Sequence, residues 1–240
     1  MTDRYAATAS AYELFARPYR DAQYAALGRL LPHLRPDEGP ILDIGAGSGA
    51  FTEWILAELP AGSALALEPS PAMRALLLAR IAAHPEWFAR VTVRPEAFFD
   101  ATLPARIGGA IALGVIGHFD AGERAAVLAE LASRLPAHGA VLVDLQHPER
   151  PQRVEPYEFT VATIGDVTYR GIAEAWPVST EVMRWRMTYL SLEGERVLTE
   201  DTTEHVYHHP APELFAREAK EAGFSAAQLD QTPFWLLQRH

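Results

Sequence analysis

The chain of 240 residues has no cysteine, no run of basic residues and no long apolar stretch. The lack of cysteine excludes disulfides, zinc–thiolate sites and a cysteine nucleophile. The formal net charge is −10, which argues against nucleic acid or an anionic membrane as a partner. No apolar segment approaches membrane-spanning length and none near residue 1 is typical of a targeting signal, so we expect a cytoplasmic protein.

Short apolar segments alternate with helical patterns through residue 150. This alternation is typical of an α/β fold in which helices cover both faces of a parallel sheet. The segments predicted as strands are 41–44, 64–67, 91–93, 110–113, 140–145 and 234–238. A capping-box pattern, Ser10 followed by Glu13, predicts a first helix over 11–18, and helical spacing predicts further helices over 20–34, 48–59 and 212–222.

Residues 158–207 alternate polar and apolar side chains with period two and contain two turn signals, at 165–166 and 193–194. This pattern predicts antiparallel strands inserted before the last helix. We therefore divide one predicted domain, 1–240, into N-terminal helices (1–35), a cofactor-binding core (36–150), a β-rich insertion (151–210) and a final helix and strand (211–240).

Residues 41–50, Ile-Leu-Asp-Ile-Gly-Ala-Gly-Ser-Gly-Ala, predict a strand, a tight glycine turn and the start of a helix. Glycines allow a ligand to approach the backbone, and a helix N-terminus offers free N–H groups. The turn also satisfies the dinucleotide pattern G-x-G-x-x-G/A. Two hypotheses follow, a nicotinamide or flavin oxidoreductase and an S-adenosylmethionine-dependent methyltransferase.

Asp43, two residues before the first glycine, helps to separate the two hypotheses. A carboxylate there would repel a pyrophosphate, whereas it would attract the sulfonium and ammonium groups of S-adenosylmethionine. Glu68, at the end of the second predicted strand, suits two ribose hydroxyls in either case. The charge of Asp43 and the order of elements favour the methyltransferase.

Residues 43–49 resemble motif I of the class I S-adenosylmethionine-dependent methyltransferases, and residues 67–70, 95–97 and 139–144 extend the match. A closer resemblance is to the small-molecule N,N-dimethyltransferases that act on amino groups of nucleotide-linked deoxysugars. That resemblance rests on Ile116-Gly117-His118, Glu204-His205 and Ala222-Gly223-Phe224. It implies a Rossmann-like seven-stranded sheet, an antiparallel β insertion before the last helix, an N-terminal helical lid and a homodimer.

The resemblance also implies the cofactor contacts. Asp43 would support the ammonium, Glu68 would bind both ribose hydroxyls, and Glu96 would meet the adenine amino group, with Asp100 as the competing acid. Met73 is equally well explained as a core residue. The implied cofactor-binding residues are Asp43, Gly45, Ala46, Gly47, Gly49, Glu68, Pro69, Met73, Glu96, Ala97, Leu113 and Gly114.

Methyl transfer requires alignment and exclusion of water more than a strong base. His118, after the fourth strand, is the predicted general base because histidine titrates near neutrality; alternatively it caps or packs the next helix. Tyr12 is the second predicted catalytic residue, from a helix that would cover the cofactor. A packing stripe shared with Phe15 and Tyr19 explains Tyr12 as well.

Aromatic residues of the insertion are predicted to form a cage for the acceptor. They are Tyr157, Tyr169, Trp176, Trp185 and Tyr189. A sheet face buried in the core or at a dimer contact is the alternative. No metal site is predicted, because His208 and His209 point to opposite faces of a strand and no carboxylate spacing completes a site with His205.

The sequence therefore predicts methyl transfer from S-adenosylmethionine, with S-adenosylhomocysteine as product, to a small-molecule acceptor that is preferably an amine. The alternatives are a small-molecule O-methyltransferase, an NAD-binding oxidoreductase and a protein that binds S-adenosylmethionine without methylating. The expected partners are the small molecule and a second copy of the chain, with no nucleic acid and no membrane.

Overall fold

The structure is a computed structural model that describes residues 3–240. In chain order its elements are α1 (Ala6–Ala9), α2 (Tyr12–Ala16), α3 (Arg20–Leu30), β1 (Ile41–Ile44), α4 (Ala50–Glu58), β2 (Ala64–Leu67), α5 (Pro71–Ala82), β3 (Val91–Arg94), β4 (Gly109–Ala112), α6 (Ala121–Arg134), β5 (Ala140–Asp144), β6 (Val154–Ile164), β7 (Val167–Pro177), β8 (Val182–Glu193), β9 (Arg196–His208), α7 (Pro212–Glu221), β10 (Phe224–Gln228) and β11 (Phe234–Arg239). Short 3-10 helices include Leu31–His33 and Ile116–His118.

Seven strands form the central sheet in the order β10-β11-β5-β4-β1-β2-β3. Strands β1 to β5 run parallel, and β11 pairs antiparallel with both β5 and β10. The predicted fold class, a seven-stranded Rossmann-like sheet with an inserted antiparallel sheet, is confirmed. Strand β10 was not among the predicted strands; its Phe224 is buried while its polar residues lie at the sheet edge.

The strands are apolar because helices cover both faces of the sheet. On one face Val127 and Leu131 of α6 pack with Phe215 of α7. On the other face Leu27 of α3 and Ile55 of α4 belong to a second cluster. Both layers leave the carboxyl ends of β1, β2, β4 and β5 at a common edge, where open α/β sheets bind their ligands.

Strands β6 to β9 form a separate antiparallel sheet, as the period-two pattern predicts. In β8, Met183 and Tyr189 are buried whereas Arg184 and Arg186 are exposed. The buried side of this sheet, here called the inner face, packs against the N-terminal helices through Tyr189. The insertion therefore lies across from the central sheet, with α1 and α2 between them.

Three predicted helix boundaries differ from the structure. Ser10 donates its hydroxyl to the Ala7 carbonyl at 3.0 Å instead of capping a helix, so α1 and α2 are separate. Helix α3 ends at Leu30, because Pro32 cannot donate the next hydrogen bond and a 3-10 turn follows. Helix α4 begins at Ala50 and not at Ser48, since Gly49 has the left-handed φ of 85°. No helix within residues 3–240 is long and apolar enough to cross a membrane.

Candidate functional site

The glycine turn follows β1 at the carboxyl edge of the sheet. A Cβ on Gly49 would lie 2.8 Å from Leu77 Cγ, so this position requires glycine for space as well as for its φ. At Gly47 the φ is 57°, and a Cβ would lie 3.5 Å from Met73 Cε and 3.8 Å from the Tyr12 hydroxyl. The structure thus brings the predicted residues Met73 and Tyr12 to the turn.

Asp43 lies beneath this turn and is only 1% exposed. The Thr52 hydroxyl of α4 donates to Asp43 Oδ2 at 2.5 Å. Burial raises the pKa of Asp43 to about 7, although the Thr52 hydrogen bond lowers it. Burial makes the ionised form of Asp43 unfavourable, and a positive charge at the turn would stabilise that form. The site therefore suits a cationic group.

Glu68 joins the glycine turn to the end of β2. Its Oε2 accepts from the Gly47 backbone N–H and its Oε1 from the Ser70 N–H, each at 2.7 Å. Burial raises the pKa of Glu68 and these two donors partly offset the effect. A carboxylate has about four lone-pair sites, so each oxygen can accept one further hydroxyl. Pro69, next in the chain, accepts a guanidinium N–H from Arg74 at 3.2 Å.

Glu96, after β3, carries an acceptor atom that no described residue satisfies. Its Oε1 lies 3.4 Å from Arg94 Nη1, whereas its Oε2 is buried without a hydrogen bond. The competing acid, Asp100, is exposed, and Ala97 between them is half-buried. An unpartnered buried oxygen is costly unless a ligand donates to it. Glu96 and Glu68 together therefore fit an adenosyl group, one through its amino group and the other through its ribose.

Leu113 and Gly114 follow β4 and lie next to the neighbouring strand β5. Leu113 is buried, while Gly114 is exposed and has a φ of 72°. The Gly114 N–H donates to Asp144 Oδ1 at 2.6 Å. Burial raises the pKa of Asp144 to about 6. Asp144 was not among the predicted site residues, although a single acid ending an apolar strand is a signal that could have identified it.

The N-terminal segment, defined here as residues 3–16, crosses this edge of the sheet. Asp3 Oδ2 accepts from the Ser70 hydroxyl at 2.9 Å and from the Ala72 N–H at 3.1 Å, both at the start of α5. Two residues later, the Tyr5 hydroxyl hydrogen-bonds His118 Nε2 at 2.9 Å. The segment is therefore attached on both sides of the glycine turn, and Tyr12 lies over the turn itself. Burial raises the pKa of Tyr12.

His118 lies in a cluster of four rings. The His118 ring is 4.9 Å from that of Tyr207, Tyr5 stacks on His205 at 5.3 Å, and His205 stacks on Tyr207 at 5.6 Å. Burial, with lesser contributions from the charges of Arg4 and His205, lowers the pKa of His118 to about 4. The imidazole is therefore neutral at neutral pH and is a weak proton acceptor. Its role as a general base stays a prediction that this pKa disfavours.

The five aromatic residues of the insertion do not form the predicted cage. Trp176 pairs with Arg184 and lies on the outer face, where the guanidinium groups of Arg153 and Arg186 stack 4.8 and 5.0 Å from its ring. Trp176 and Trp185 lie on opposite faces of the sheet because of the register in which β7 pairs with β8. The spacing of residues within one strand does not reveal that register.

The other four aromatic residues share the inner face but separate along it. Tyr189 stacks on Phe15 of α2 at 5.1 Å, and Tyr169 packs in the same cluster. Tyr157 is 45% exposed. Trp185 donates its indole N–H to His209 Nε2 at 3.1 Å, away from that cluster.

The three late histidines have separate surroundings. His205 Nε2 lies 3.1 Å from the Thr203 hydroxyl, and His209 Nδ1 lies 2.9 Å from the Pro148 carbonyl oxygen. Within residues 3–240, no group of three or more His, Asp or Glu side chains is placed to hold a metal ion.

Comparison with known proteins assigns the domain. Residues 42–142 match the family model described as "Methyltransferase domain". No curated protein sequence matches the chain significantly. Of the two hypotheses that the glycine pattern left open, this match favours the methyltransferase over the oxidoreductase.

Solved structures share the fold over nearly the whole chain. CalS10, an amino pentose methyltransferase from Micromonospora echinaspora solved with S-adenosylmethionine, has a TM-score of 0.72 at 19% identity, over 92% of this chain and 91% of its own. The sugar N-methyltransferase KedS8 from Streptoalloteichus has a TM-score of 0.71 at 21% identity, over 95% and 92%. DesVI from Streptomyces venezuelae has a TM-score of 0.71 at 17% identity, over 94% and 92%.

The family match and the shared fold agree with the cradle that Asp43, Glu68 and Glu96 form at the carboxyl edge of the sheet. Residues 42–142 are therefore a methyltransferase domain, and the chain as a whole shares the fold of these solved methyltransferases.

Proposed function

We propose that this enzyme methylates an amine nitrogen of a small molecule. The observation that carries this choice is the state of His118, which is half-buried, neutral and hydrogen-bonded to the Tyr5 hydroxyl. A hydroxyl acceptor benefits from a base that takes its proton, and a group with a pKa of about 4 is poorly matched to that task at neutral pH. An amine whose lone pair is already free needs no such base.

The neighbouring structures support the same choice. CalS10 is an amino pentose methyltransferase, and KedS8 is a sugar N-methyltransferase. We therefore propose an amino group on a sugar-like acceptor. The alternative, a small-molecule O-methyltransferase, would require a base other than His118.

We propose that the cofactor residues act as the sequence predicts. Glu68 would accept both ribose hydroxyls, Glu96 Oε2 would accept from the adenine amino group, and Asp43 would stabilise the ammonium from beneath the turn. The remaining proposed contacts are Gly45, Ala46, Gly47, Gly49, Pro69, Met73, Ala97, Leu113 and Gly114. When bound, S-adenosylmethionine supplies an activated methyl group.

The chain's own contribution would then be alignment and exclusion of water. The N-terminal segment would cover the cofactor through Tyr12 and hold His118 through Tyr5. Tyr169 and Tyr189 of the inner face would bound the acceptor side behind α2. We propose that His118 positions Tyr5 instead of taking a proton, and that Trp176 has no acceptor contact.

The test uses the full chain, labelled S-adenosylmethionine and a matched pair of acceptors. These are a thymidine-diphosphate-linked aminodeoxyglucose and its analogue with a hydroxyl in place of the amino group. We expect label to pass to the amine and not to the hydroxyl analogue, as measured by mass spectrometry. Transfer to the hydroxyl analogue alone would establish the O-methyltransferase and reject this proposal.

We further propose a homodimer that forms through the antiparallel sheet, in the cytoplasm. The outer face of that sheet exposes Val206 beside the Arg186–Glu204 ion pair, so apolar and paired charged groups alternate there. Light scattering of the purified chain tests the dimer, and a monomer mass at micromolar concentration would reject it.

A further inference from the structure

We propose that the Asp144 carboxylate binds the acceptor nitrogen and stabilises the positive charge that this nitrogen gains during methyl transfer. This role makes Asp144 the residue that selects an amine over a neutral or anionic oxygen. The inference rests on the proposed amine acceptor and assigns a residue to that specificity.

The first support is the position of the carboxylate. Asp144 ends β5 and Gly114 follows the adjacent strand β4, so both lie at the edge that carries the glycine turn. The Gly114 N–H donates to Asp144 Oδ1 at 2.6 Å and fixes the carboxylate. Among residues 3–240, no other residue donates a hydrogen bond to Asp144 Oδ2. One oxygen is therefore held, and the second is free to accept an N–H from a ligand.

The second support is the space beside it. Gly114 is exposed, and a Cβ built on it would have no neighbouring atom within 4 Å. The backbone next to Asp144 thus borders open space instead of packed side chains. A small polar group can approach Oδ2 there without displacing any part of the core.

The third support is the lack of a protein cation. In the part of the chain that the structure describes, Asp144 forms no ion pair with Lys, Arg or His. The Tyr12 hydroxyl of α2 interacts electrostatically with Asp144, and the charges of Arg20, Glu13 and Glu68 act on the same hydroxyl. In the neighbouring strand β11, Phe234 pairs with Asp144, and on the other side Leu113 follows β4; both residues are apolar and buried.

Asp144 is half-buried, and a partly desolvated carboxylate without a cation is costly, so a ligand cation would stabilise it. Burial holds the pKa of Asp144 at about 6, so the group is largely ionised at neutral pH and protonated in weak acid. Its charge is therefore available to a cationic acceptor in neutral solution.

The charge change of the reaction fits this position. The bound ammonium first loses a proton to solvent, and the freed lone pair then forms the new N–C bond. The S–C bond breaks with its electron pair left on sulfur, and the nitrogen becomes positive again before a second proton leaves to solvent. A fixed carboxylate beside that nitrogen stabilises the developing charge. The same carboxylate repels an oxygen anion, which is the nucleophile of many O-methylations.

The experiment compares the full chain with Asp144→Asn, which keeps the shape and removes the charge. Asp166→Asn is the matched control because Asp166 is an exposed acid of the same size in the β6–β7 turn. Calorimetry with the S-adenosylhomocysteine complex measures the binding of the thymidine-diphosphate-linked aminodeoxyglucose and its hydroxyl analogue between about pH 5 and about pH 7. An alkyl ammonium stays protonated over this range, so the acceptor charge is constant.

For the unchanged enzyme and for Asp166→Asn, we expect the amine to bind about tenfold more tightly than the hydroxyl analogue near pH 7. This preference should fall as the pH drops through about 6 and Asp144 becomes protonated. For Asp144→Asn, we expect nearly equal binding of the two compounds with no such pH dependence.

Two results would overturn the inference. One is an amine preference and pH profile that Asp144→Asn leaves unchanged. The other is a loss of S-adenosylhomocysteine or S-adenosylmethionine binding in Asp144→Asn with no change in amine preference, which would assign the carboxylate to the cofactor. Failure of the proposed function is recognised separately, as methyl transfer to the hydroxyl analogue by the unchanged enzyme.

Discussion

Glu68 is the residue on which most of the candidate cofactor site converges. It accepts hydrogen bonds from the glycine turn and from the start of α5, and both of its oxygens retain capacity for a ligand hydroxyl. A glutamine at this position would direct its side-chain NH2 group toward one of the two backbone N–H donors, and no hydrogen bond could form there. The loop therefore requires a carboxylate, as does the ribose contact that we propose.

We predict that Glu68→Gln weakens S-adenosylhomocysteine binding by about 10- to 100-fold, because a hydrogen bond to a charged group contributes about 1.5–3 kcal/mol. Calorimetric titration of the full chain measures the dissociation constant. Glu58→Gln is the control, since Glu58 is an exposed residue at the end of α4 that makes the same change of charge. Equal affinity in both variants would remove Glu68 from the site.

The site residues that could be predicted from the sequence are those that directly follow a predicted strand. Asp43, the glycine turn and Glu68 each follow a short apolar strand, and parallel strands bring their carboxyl ends together whatever the rest of the chain does. The contact between Tyr5 and His118 joins residues that are 113 positions apart. No periodicity in either segment encodes it, because the path of the N-terminal segment depends on packing against two sheets.

At the scale of elements, strand periodicity predicted the antiparallel sheet but not the side on which each aromatic residue lies. Met183, Trp185, Met187 and Tyr189 share a face, as their spacing within β8 indicates. Trp176 is in a different strand, and a shift of one residue in the β7–β8 register would have moved it to the other face. Register is set by the turn at 178–181, whose geometry the sequence pattern leaves open.

The N-terminal helices α1 and α2 are stabilised by their contacts with the antiparallel sheet. Helices α1 and α2 are four and five residues long, too short to be stable in isolation. Phe15 stacks on Tyr189, and the Thr8 hydroxyl donates to the Tyr189 hydroxyl at 3.1 Å. The antiparallel sheet thus provides the surface on which the N-terminal segment folds.

At the scale of the whole molecule, Arg124 connects the two sheets. Its guanidinium is fully buried and donates to both carboxylate oxygens of Glu218 in α7, at 2.9 and 2.8 Å. It also pairs with Glu181 at the β7–β8 turn and donates to the Phe119 carbonyl. Burial lowers the pKa of Arg124, but the two carboxylates outweigh this effect and raise it overall.

We predict that the chain unfolds as one domain, in a single calorimetric transition. Arg124→Met leaves two carboxylates without their partner and should lower the free energy of unfolding by about 3–5 kcal/mol. Arg29→Met is the control, because Arg29 pairs with Asp230 on the surface and an exposed pair contributes about 0–1 kcal/mol. Two separate transitions in the unchanged protein would show that the antiparallel sheet is an independent unit.

The hydrogen bonds that join Gly47, Glu68 and Ser70 affect the conformational entropy that the loop would lose when a ligand binds. These residues close a hydrogen-bonded ring across the ends of β1 and β2 that consists of protein groups alone. The glycine turn, whose residues have the most conformational freedom of any in the chain, is therefore already ordered when the cofactor arrives. We therefore expect the binding of S-adenosylmethionine to lose little free energy to the ordering of this loop, because the loop is ordered when the chain folds.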